Sequence, residues 1–388
     1  AVLSQKANTI QEVIVTSAFS TKRTLRSQSS NVQNVNGDQL NTIRQSNINN
    51  ALAGKVAGMQ VQSQSYGKLG AETRVRLRGE NGIAGAGPGA LYVVDGTIIP
   101  SANDINPDDI EDVTVLQGPA ASALFGPDGA QGAIVINTKK AKRGSRGSGL
   151  GIEINSGIQY DKVYILPDYQ NTYAGGVGQG SPGADMARFD YIPGYHPAGW
   201  AALDGKYYPD YQEDESWGPR MVGQEYIPWY AWYPGTERSF KTAKLTAQPN
   251  NVRNYFNTGI TKTNNINFTK GGEGYNLRIS YTNLDQKGII PTSYLKRHTL
   301  NASFSADLSS KWTVAANINY INQKSNAEND DTYSNNTSGS FNQWFHRDLD
   351  IDIMREFKDY KTAQGSLATW NHGNPGLYDP NNPARFYR

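Results

Sequence analysis

The sequence contains no cysteine. That removes disulfide frameworks, thiolate nucleophiles and every metal site built on sulfur. Histidine is scarce too. His196, His298, His346 and His372 are the only four, and none stands in an HExxH or comparable pairing, so no zinc site can be read. There is no G-x-S-x-G elbow and no P-loop, and no carboxylate pair stands out for glycoside chemistry. The expectation is a protein that is not an enzyme and needs no cofactor. An excess of one charge is also missing: Lys+Arg number 37 against 35 Asp+Glu, a net charge of +2. Nucleic-acid binders show a clustered basic surplus, and none is expected here. The one basic cluster, Lys139, Lys140, Lys142, Arg143 and Arg146, sits at a candidate domain junction and reads as a solvated hinge. No run of about 18 apolar residues occurs, which excludes a helical membrane span. It leaves a membrane β-barrel open, because barrel strands need only about 10 residues of alternating character. No signal peptide opens the chain. Ala1 is not a start methionine, so a processed or partial N-terminus is expected and any membrane address is inferred, not read.

What is present is glycine (40) and tyrosine (23). Long polar loops and aromatic girdles would use both, as would many secreted β proteins. Residues 1–36 are rich in Ser, Asn, Gln and Thr with one β-branched island, Val13–Thr16, and read as an extended lead. From Gly37 the texture changes. Asn47 to Val56 carries Ile48, Leu52 and Val56 at i, i+4 and i+8, a short amphipathic helix ended by Gly58. Strands are predicted over Met59–Gln64, Thr73–Arg78, Ala90–Val94, Val113–Gln117 and Ala133–Thr138, with a helix opened by Pro119 and stopped by Gly126. Residues 37–147 thus form an α+β domain with a core of its own, closed by a Gly/Ser hinge over Gly144–Gly149.

Residues 148–388 change period. Leu150, Ile152, Ile154, Ile158 and Tyr160 alternate with polar or small residues, as do Tyr275 to Tyr281, Leu300 to Leu308 and Trp312 to Tyr320. Short turns at Gly271–Gly274 and Ser309–Ser310 contrast with a loop of roughly a hundred residues (161–263) and a tail from about Asn326. Short turns on one side and long loops on the other are the layout of an outer-membrane barrel. A soluble sandwich also gives period two and stays open on this pattern alone. Its strands, however, rarely carry inward residues as polar as Asn301, Ser303, Ser305 and Asp307. Only four or five strands are legible, whereas barrels that hold a plug have about 22. The expectation is a segment of a longer polypeptide, or a barrel completed by another chain.

Leu91-Tyr92-Val93-Val94-Asp95-Gly96 is where a family becomes recognisable. With Ala51–Val61, Arg74–Gly79, Ile105–Glu111, Phe125-Gly126 and Gly132–Lys140, it resembles, in order, the blocks of the plug domain of SusC/RagA-family TonB-dependent transporters of Bacteroidetes. The resemblance continues through Ser280–Gly288 and Phe341–Asp350 and covers nearly the whole chain. Glu80-Asn81 and Gln117-Gly118-Pro119 depart from the family pattern. The resemblance implies an α+β plug domain inside a transmembrane antiparallel β-barrel of the bacterial outer membrane. The long loops would be extracellular, and the lead and plug periplasmic. It implies active import of an oligosaccharide or peptide, a SusD-like surface lipoprotein as lid, TonB with ExbB–ExbD as motor, and outer-membrane lipid and lipopolysaccharide as surroundings. The alternative is a non-transporting SusC-like structural subunit of a larger outer-membrane complex.

Three segments are candidate sites. Gln11, Glu12, Val13, Ile14, Val15 and Thr16 resemble a TonB box: an unpaired β-prone strand in a flexible lead can add to a sheet edge. An ordinary first strand is the plain alternative. Gly82, Gly85, Gly87 and Gly89 lack the strand-before, helix-after context of a phosphate cradle. They read as a lumen-facing plug loop open to substrate, or as turn chemistry. The long loop is aromatic, with Trp217, Tyr226, Trp229, Tyr230, Trp232 and Tyr233 foremost. Such rings stack on sugars, anchor partners, or pack on one another. Glu328, Asp330 and Asp331 are a conceivable Ca²⁺ cluster, but no EF-hand spacing exists, and they read as a solvated acidic loop.

Overall fold

The computed structural model describes residues 14–16, 22–24, 32–42, 45–62, 69–70, 73–77, 89–141, 150–177, 186–326, 340–341, 344–363 and 365–387. They divide into two units: residues 1–161, 259–288 and 292–328, and residues 162–258, 289–291 and 329–388.

The first unit opens with a small antiparallel pair, β1 (Ile14–Thr16) with β2 (Lys22–Thr24). Then β3 (Val32–Asn36) enters a five-stranded sheet, so the lead reaches further into the domain than its polar composition suggested. Helix α1 (Gly37–Leu40) follows, closed by a capping box between Asn36 and Gln39. Helix α2 (Ile48–Leu52) is capped by Asn47 and is shorter than the apolar spacing predicts. Gly54 and Gly58 lie at φ 74° and 72°, conformations that end a helix, while Val56 still reaches the core. Strands β4 (Met59–Gln62) and β5 (Arg74–Leu77) pair with each other. The main sheet is completed by β6 (Leu91–Val94), β7 (Thr97–Ile99), β8 (Ile110–Leu116) and β9 (Ala133–Thr138), in the order β3-β8-β9-β6-β7. Helix α3 (Pro119–Phe125) connects β8 to β9. Asp95 and Gly96 turn β6 into β7 with φ 47° and 89°, the two positive values a tight hairpin turn demands. Leu40, Ile48, Leu52, Ile110, Val113, Ile134 and Ile136 form the core on one face of the sheet.

Strand β10 (Gly151–Asp161) leaves this domain. Among the described residues of the segment after it are four two-residue strands: β11 (Ala187–Arg188), β12 (Tyr207–Tyr208), β13 (Glu225–Tyr226) and β14 (Ala243–Lys244). Long strands resume with β15 (Gly259–Gly272), β16 (Tyr275–Lys287), β17 (Tyr294–Ser309) and β18 (Trp312–Asn326). With β10 they make one antiparallel sheet in the order β10-β15-β16-β17-β18. The turn between β15 and β16 is Glu273-Gly274, and that between β17 and β18 is Ser310-Lys311, one residue later than expected, after a register shift between Asp307 and Ser309.

This sheet inverts the usual sorting of residues. Asn265, Arg278, Ser280, Thr282, Thr299, Asn301 and Ser303 are buried, while Ile154, Ile158, Tyr160, Ile318 and Tyr320 are more than half exposed. Apolar side chains facing out and polar ones facing in are what a lipid-facing wall requires. A sandwich core would need the opposite, which resolves the ambiguity that period two alone leaves.

The second unit has its own core. Trp200, Trp232, Tyr211, Tyr233, Phe357 and Phe386 are all below 2% exposed. Trp200 meets Trp232 edge-on at 4.8 Å and Phe386 at 4.9 Å, within the range of favourable aromatic pairs.

Candidate functional site

The chemistry of the first unit concentrates where segment 101–110 meets the polar face of β16 and β17. Three constraints shape that segment. Asn106 caps a 3-10 turn over Pro107–Asp109, accepting from the Asp108 amide at 3.2 Å. Asn103 is buried, and its Oδ1 accepts from Asn47 Nδ2 (2.8 Å), Asn49 Nδ2 (3.0 Å) and the Thr73 amide (3.2 Å). Tyr92 donates to Asn49 Oδ1 at 3.1 Å. One buried amide of segment 101–110 thus ties α2 and the residue before β5 to that segment, with two donors from α2 and its cap and one from Thr73 satisfied at a single oxygen.

Held in this way, the segment presents two carboxylates to the wall. Asp109 Oδ1 accepts from Arg278 at 2.8 Å, with the two side chains 4% and 3% exposed. The other Asp109 oxygen accepts from Asn106 Nδ2 at 3.0 Å. Arg297 donates to Asp104 at 3.1 Å and to the Ser46 carbonyl at 2.9 Å. Asp104 is half exposed, so solvent weakens that second pair. Asn106 Nδ2 also reaches Thr282 Oγ1 at 2.7 Å. Among the described residues, this part of the interface is a set of directed polar contacts that includes one fully buried ion pair. Beside it lies a cleft of about 530 Å³, lined among others by Asp95, Thr97, Asn301, Asn317 and Asn319.

In the second unit, the block Phe341–Asp350 gathers residues far apart in sequence. Arg347 donates to the Gln170 carbonyl (3.0 Å), Asn171 Oδ1 (3.1 Å) and Asn251 Oδ1, and its guanidinium lies 4.7 Å from the Tyr169 ring centre. Asp348 accepts from the Gly175 amide at 3.0 Å. His346 is fully buried, with Nε2 2.6 Å from the Glu213 carbonyl. A carbonyl only accepts, so Nε2 carries the hydrogen, and Nδ1 has no hydrogen-bond partner among the described residues. Burial holds this imidazole below its ordinary pKa against the opposing pull of Asp348. Gly175 is required here, because any Cβ would collide with the His346 ring.

The residues singled out by sequence fall unevenly. Gln11, Glu12 and Val13 lie outside the described residues. Ile14–Thr16 pair with Lys22–Thr24, so this part of the island is not the unpaired strand expected. Gly82, Gly85 and Gly87 lie outside the described residues, as do Glu328, Asp330 and Asp331, while Gly89 is exposed just before β6. Tyr226, Trp229, Trp232 and Tyr233 are buried in the second unit's own core. Their surfaces are covered by the rest of that core, Trp232 by Phe189, Trp200 and Phe386 among others, which removes them as direct partner or ligand contacts. Burial raises the Tyr233 pKa to about 12, and its hydroxyl donates to the Thr369 carbonyl at 2.9 Å. Tyr230 is partly buried under Arg238. Trp217 remains about half exposed, 6.0 Å from Tyr173, and is the member of the set with open ring surface. Sequence reasoning missed Asn103, Asp104, Asp109, Arg278 and Arg297. The available signal was parity: Arg278 lies between Leu277 and Ile279, on the face that alternation turns inward.

A folded α+β domain set against the polar face of long strands whose other face is apolar defines a plugged membrane β-barrel. The comparisons agree. Residues 24–133 match the family model of the TonB-dependent Receptor Plug Domain. TonB-dependent receptor P3 of Formosa agariphila is 26% identical over 318 residues, covering 82% of this chain and 25% of that protein. TonB-dependent receptor SusC of Bacteroides thetaiotaomicron is 24% identical over 311 residues, covering 78% of this chain and 25% of that protein. The RagAB peptide importer in its open-open state superimposes with a TM-score of 0.56 at 23% identity, over 81% of this chain and 33% of that one. The chain therefore spans about a quarter of the relatives it matches. It holds the plug domain and barrel strands of a SusC/RagA-like TonB-dependent receptor.

Proposed function

We propose that the receptor imports a large nutrient, an oligosaccharide or a peptide, across the bacterial outer membrane with energy drawn through TonB and ExbB–ExbD. The second unit is extracellular in this reading and meets a SusD-like lipoprotein lid. The observation that carries it is the polar plug–wall contact centred on Asp109–Arg278. Such a contact holds the plug in place, and breaking it exposes little apolar surface to water, which suits a plug that must move and return. The peptide importer among the similar structures supports a peptide, and SusC among the relatives supports the family.

The test is uptake by cells expressing the full-length receptor, with and without residues 11–16. Loss of uptake of a labelled oligosaccharide or peptide, with surface binding retained, is expected on deletion of either that segment or TonB. Uptake indifferent to both would refute energised transport. The pairing of Ile14–Thr16 with Lys22–Thr24 favours the second reading, a fixed structural subunit. That pairing is only three residues long, and β1 has no second strand partner among the described residues; strand addition by TonB would use that edge.

A further inference from the structure

The outward face of the long strands changes chemistry along its height. Register aligns its side chains into rows across all five strands. Ile154, Ile266, Tyr281, Leu300 and Tyr320 form one row, which is apolar apart from the tyrosine hydroxyls. Two rows nearer the end from which segment 162–258 departs, the partners are Ile158, Lys262, Asp285, Lys296 and Lys324. In the next row Lys287 stands opposite Tyr294. All four lysines are exposed, and their side chains carry no ion pair among the described residues. Asp285 is the lone carboxylate among them.

Two features make this more than a solvated rim. Lys296 and Lys324 are direct cross-strand partners. Like charges so placed repel at Cβ separations of about 5 Å, and an anion between them relieves that repulsion. The height also fits. From Tyr281 to Asp285 is four residues, about 14 Å along a strand and about 10 Å along the membrane normal at barrel tilt. The amines therefore lie at the upper margin of the apolar band, where Ile158, Tyr160 and Ile260 share their rows, at the level of lipid headgroups. Between the two rows, His298 stacks beside Tyr281, with Nδ1 2.8 Å from its hydroxyl, and offers Nε2 to the same level.

We propose that this row is a binding site for the phosphate groups of an outer-leaflet glycolipid, bridged by Lys296 and Lys324 and flanked by Lys262 and Lys287. The site rests on the reading that segment 162–258 faces outside. The test uses the full-length receptor in detergent. Native mass spectrometry compares its retention of diphosphoryl lipid A and of the same lipid stripped of phosphate. Wild type is expected to bind the phosphorylated lipid about thirtyfold more tightly than K296E/K324E. The milder K296Q/K324Q should shift in the same direction. K270E, which alters an exposed lysine at the opposite end of the wall, should leave binding unchanged. Equal binding by wild type and K296E/K324E, equal binding of the two lipids, or an equal loss with K270E each overturns the proposal. Orientation is read separately. A V222C substitution at an exposed position of the second unit, introduced into the full-length receptor with any other cysteine replaced by serine, is labelled on intact cells with an impermeant maleimide. Labelling without phosphate preference rejects the lipid site alone. No labelling rejects the outward-facing reading and the site with it.

Discussion

Replacing Asp109 by Asn should loosen the plug from the wall far more than removing both partners of its ion pair. Arg278 is 3% exposed, and its contact with Asn301 Oδ1 is long, at 3.4 Å. D109N therefore leaves a buried cation with a long bond to a neutral acceptor and only the weaker, through-space pull of Glu153. Removing one member of a buried pair costs about 3–5 kcal/mol, whereas removing both is often close to neutral. Solvent screening gives no discount here because both side chains are buried. The amides of Ile105 and Asp109, bonded to the Ala102 and Asn106 carbonyls at 3.1 Å each, exchange with solvent when this segment opens. If D109N or R278Q lowers the opening free energy by that amount, their exchange accelerates by roughly two to three and a half powers of ten. D109N/R278Q should recover most of the protection. Hydrogen exchange by mass spectrometry on the full-length receptor measures all three variants. Single variants within about threefold of wild type would refute the reasoning. So would a double variant no better protected than the singles, because the stabilisation would then lie elsewhere.

Three further outcomes follow from the geometry. N103A removes one oxygen that serves three donors. At about 1–3 kcal/mol per buried donor left unpaired, the plug's urea midpoint should fall by the equivalent of at least roughly 3 kcal/mol. W232A empties a fully buried site in the second unit, and a loss of about 3–5 kcal/mol is expected. It should appear as lost near-ultraviolet dichroism while the strand content of the far-ultraviolet spectrum persists. His346 makes that unit acid-sensitive: its folded pKa lies below the ordinary 6.5, so the folded state binds fewer protons than the unfolded one. Stability is then full above about pH 6.5 and declines as pH falls toward the lower folded value. The groups facing His346 include Asp348, Asp210, Asp214 and Tyr211. Unfolding followed by tryptophan fluorescence from neutral to mildly acid pH should show this slope, and H346Q should flatten it.

The plug was legible because its signals are local. Gly126 ends α3, and Val113, Val115, Ile134 and Ile136 alternate as strands do, whereas the Asp95-Gly96 turn and the three-residue β7 it leads into were not read. Four of the five long strands were legible as period two; β15 was not, because Thr261, Thr263, Asn265 and Asn267 leave it almost without apolar contrast, and its first residues, Gly259–Thr263, were read as the end of the long loop. Which parity faces lipid is decided by what covers the other face, and that is the plug. The second unit was the least legible. Its aromatic residues lie in two segments separated by long strands, so the list of rings suggested a surface loop when Trp232 and Phe386, 6.0 Å apart, share one core. Composition cannot tell a ring that awaits a partner from a ring that has one. The ion pair was hidden for a similar reason: Asp109 and Arg278 are 169 positions apart, and neither sits in a spacing that marks a site.

The way the wall is built also bears on how a plug can be both tight and releasable. Most of the plug's buried apolar side chains among the described residues lie within its own two clusters. The wall residues it covers are chiefly Asn, Ser, Thr and Arg. Parting the two would hydrate polar groups that water can satisfy, so the hydrophobic penalty of about 25 cal/mol per Å² applies to only a small part of the separated area. An apolar contact does exist, where Leu69 of the plug packs on Leu284 and Leu295. Resistance to separation is therefore concentrated in the directed contacts, above all Asp109–Arg278, and not spread over the interface. A barrier of that kind falls abruptly once one geometry is broken and returns when it re-forms. A wall lined with leucine and valine would instead resist in proportion to area, and once opened it would expose an adhesive surface to whatever passed.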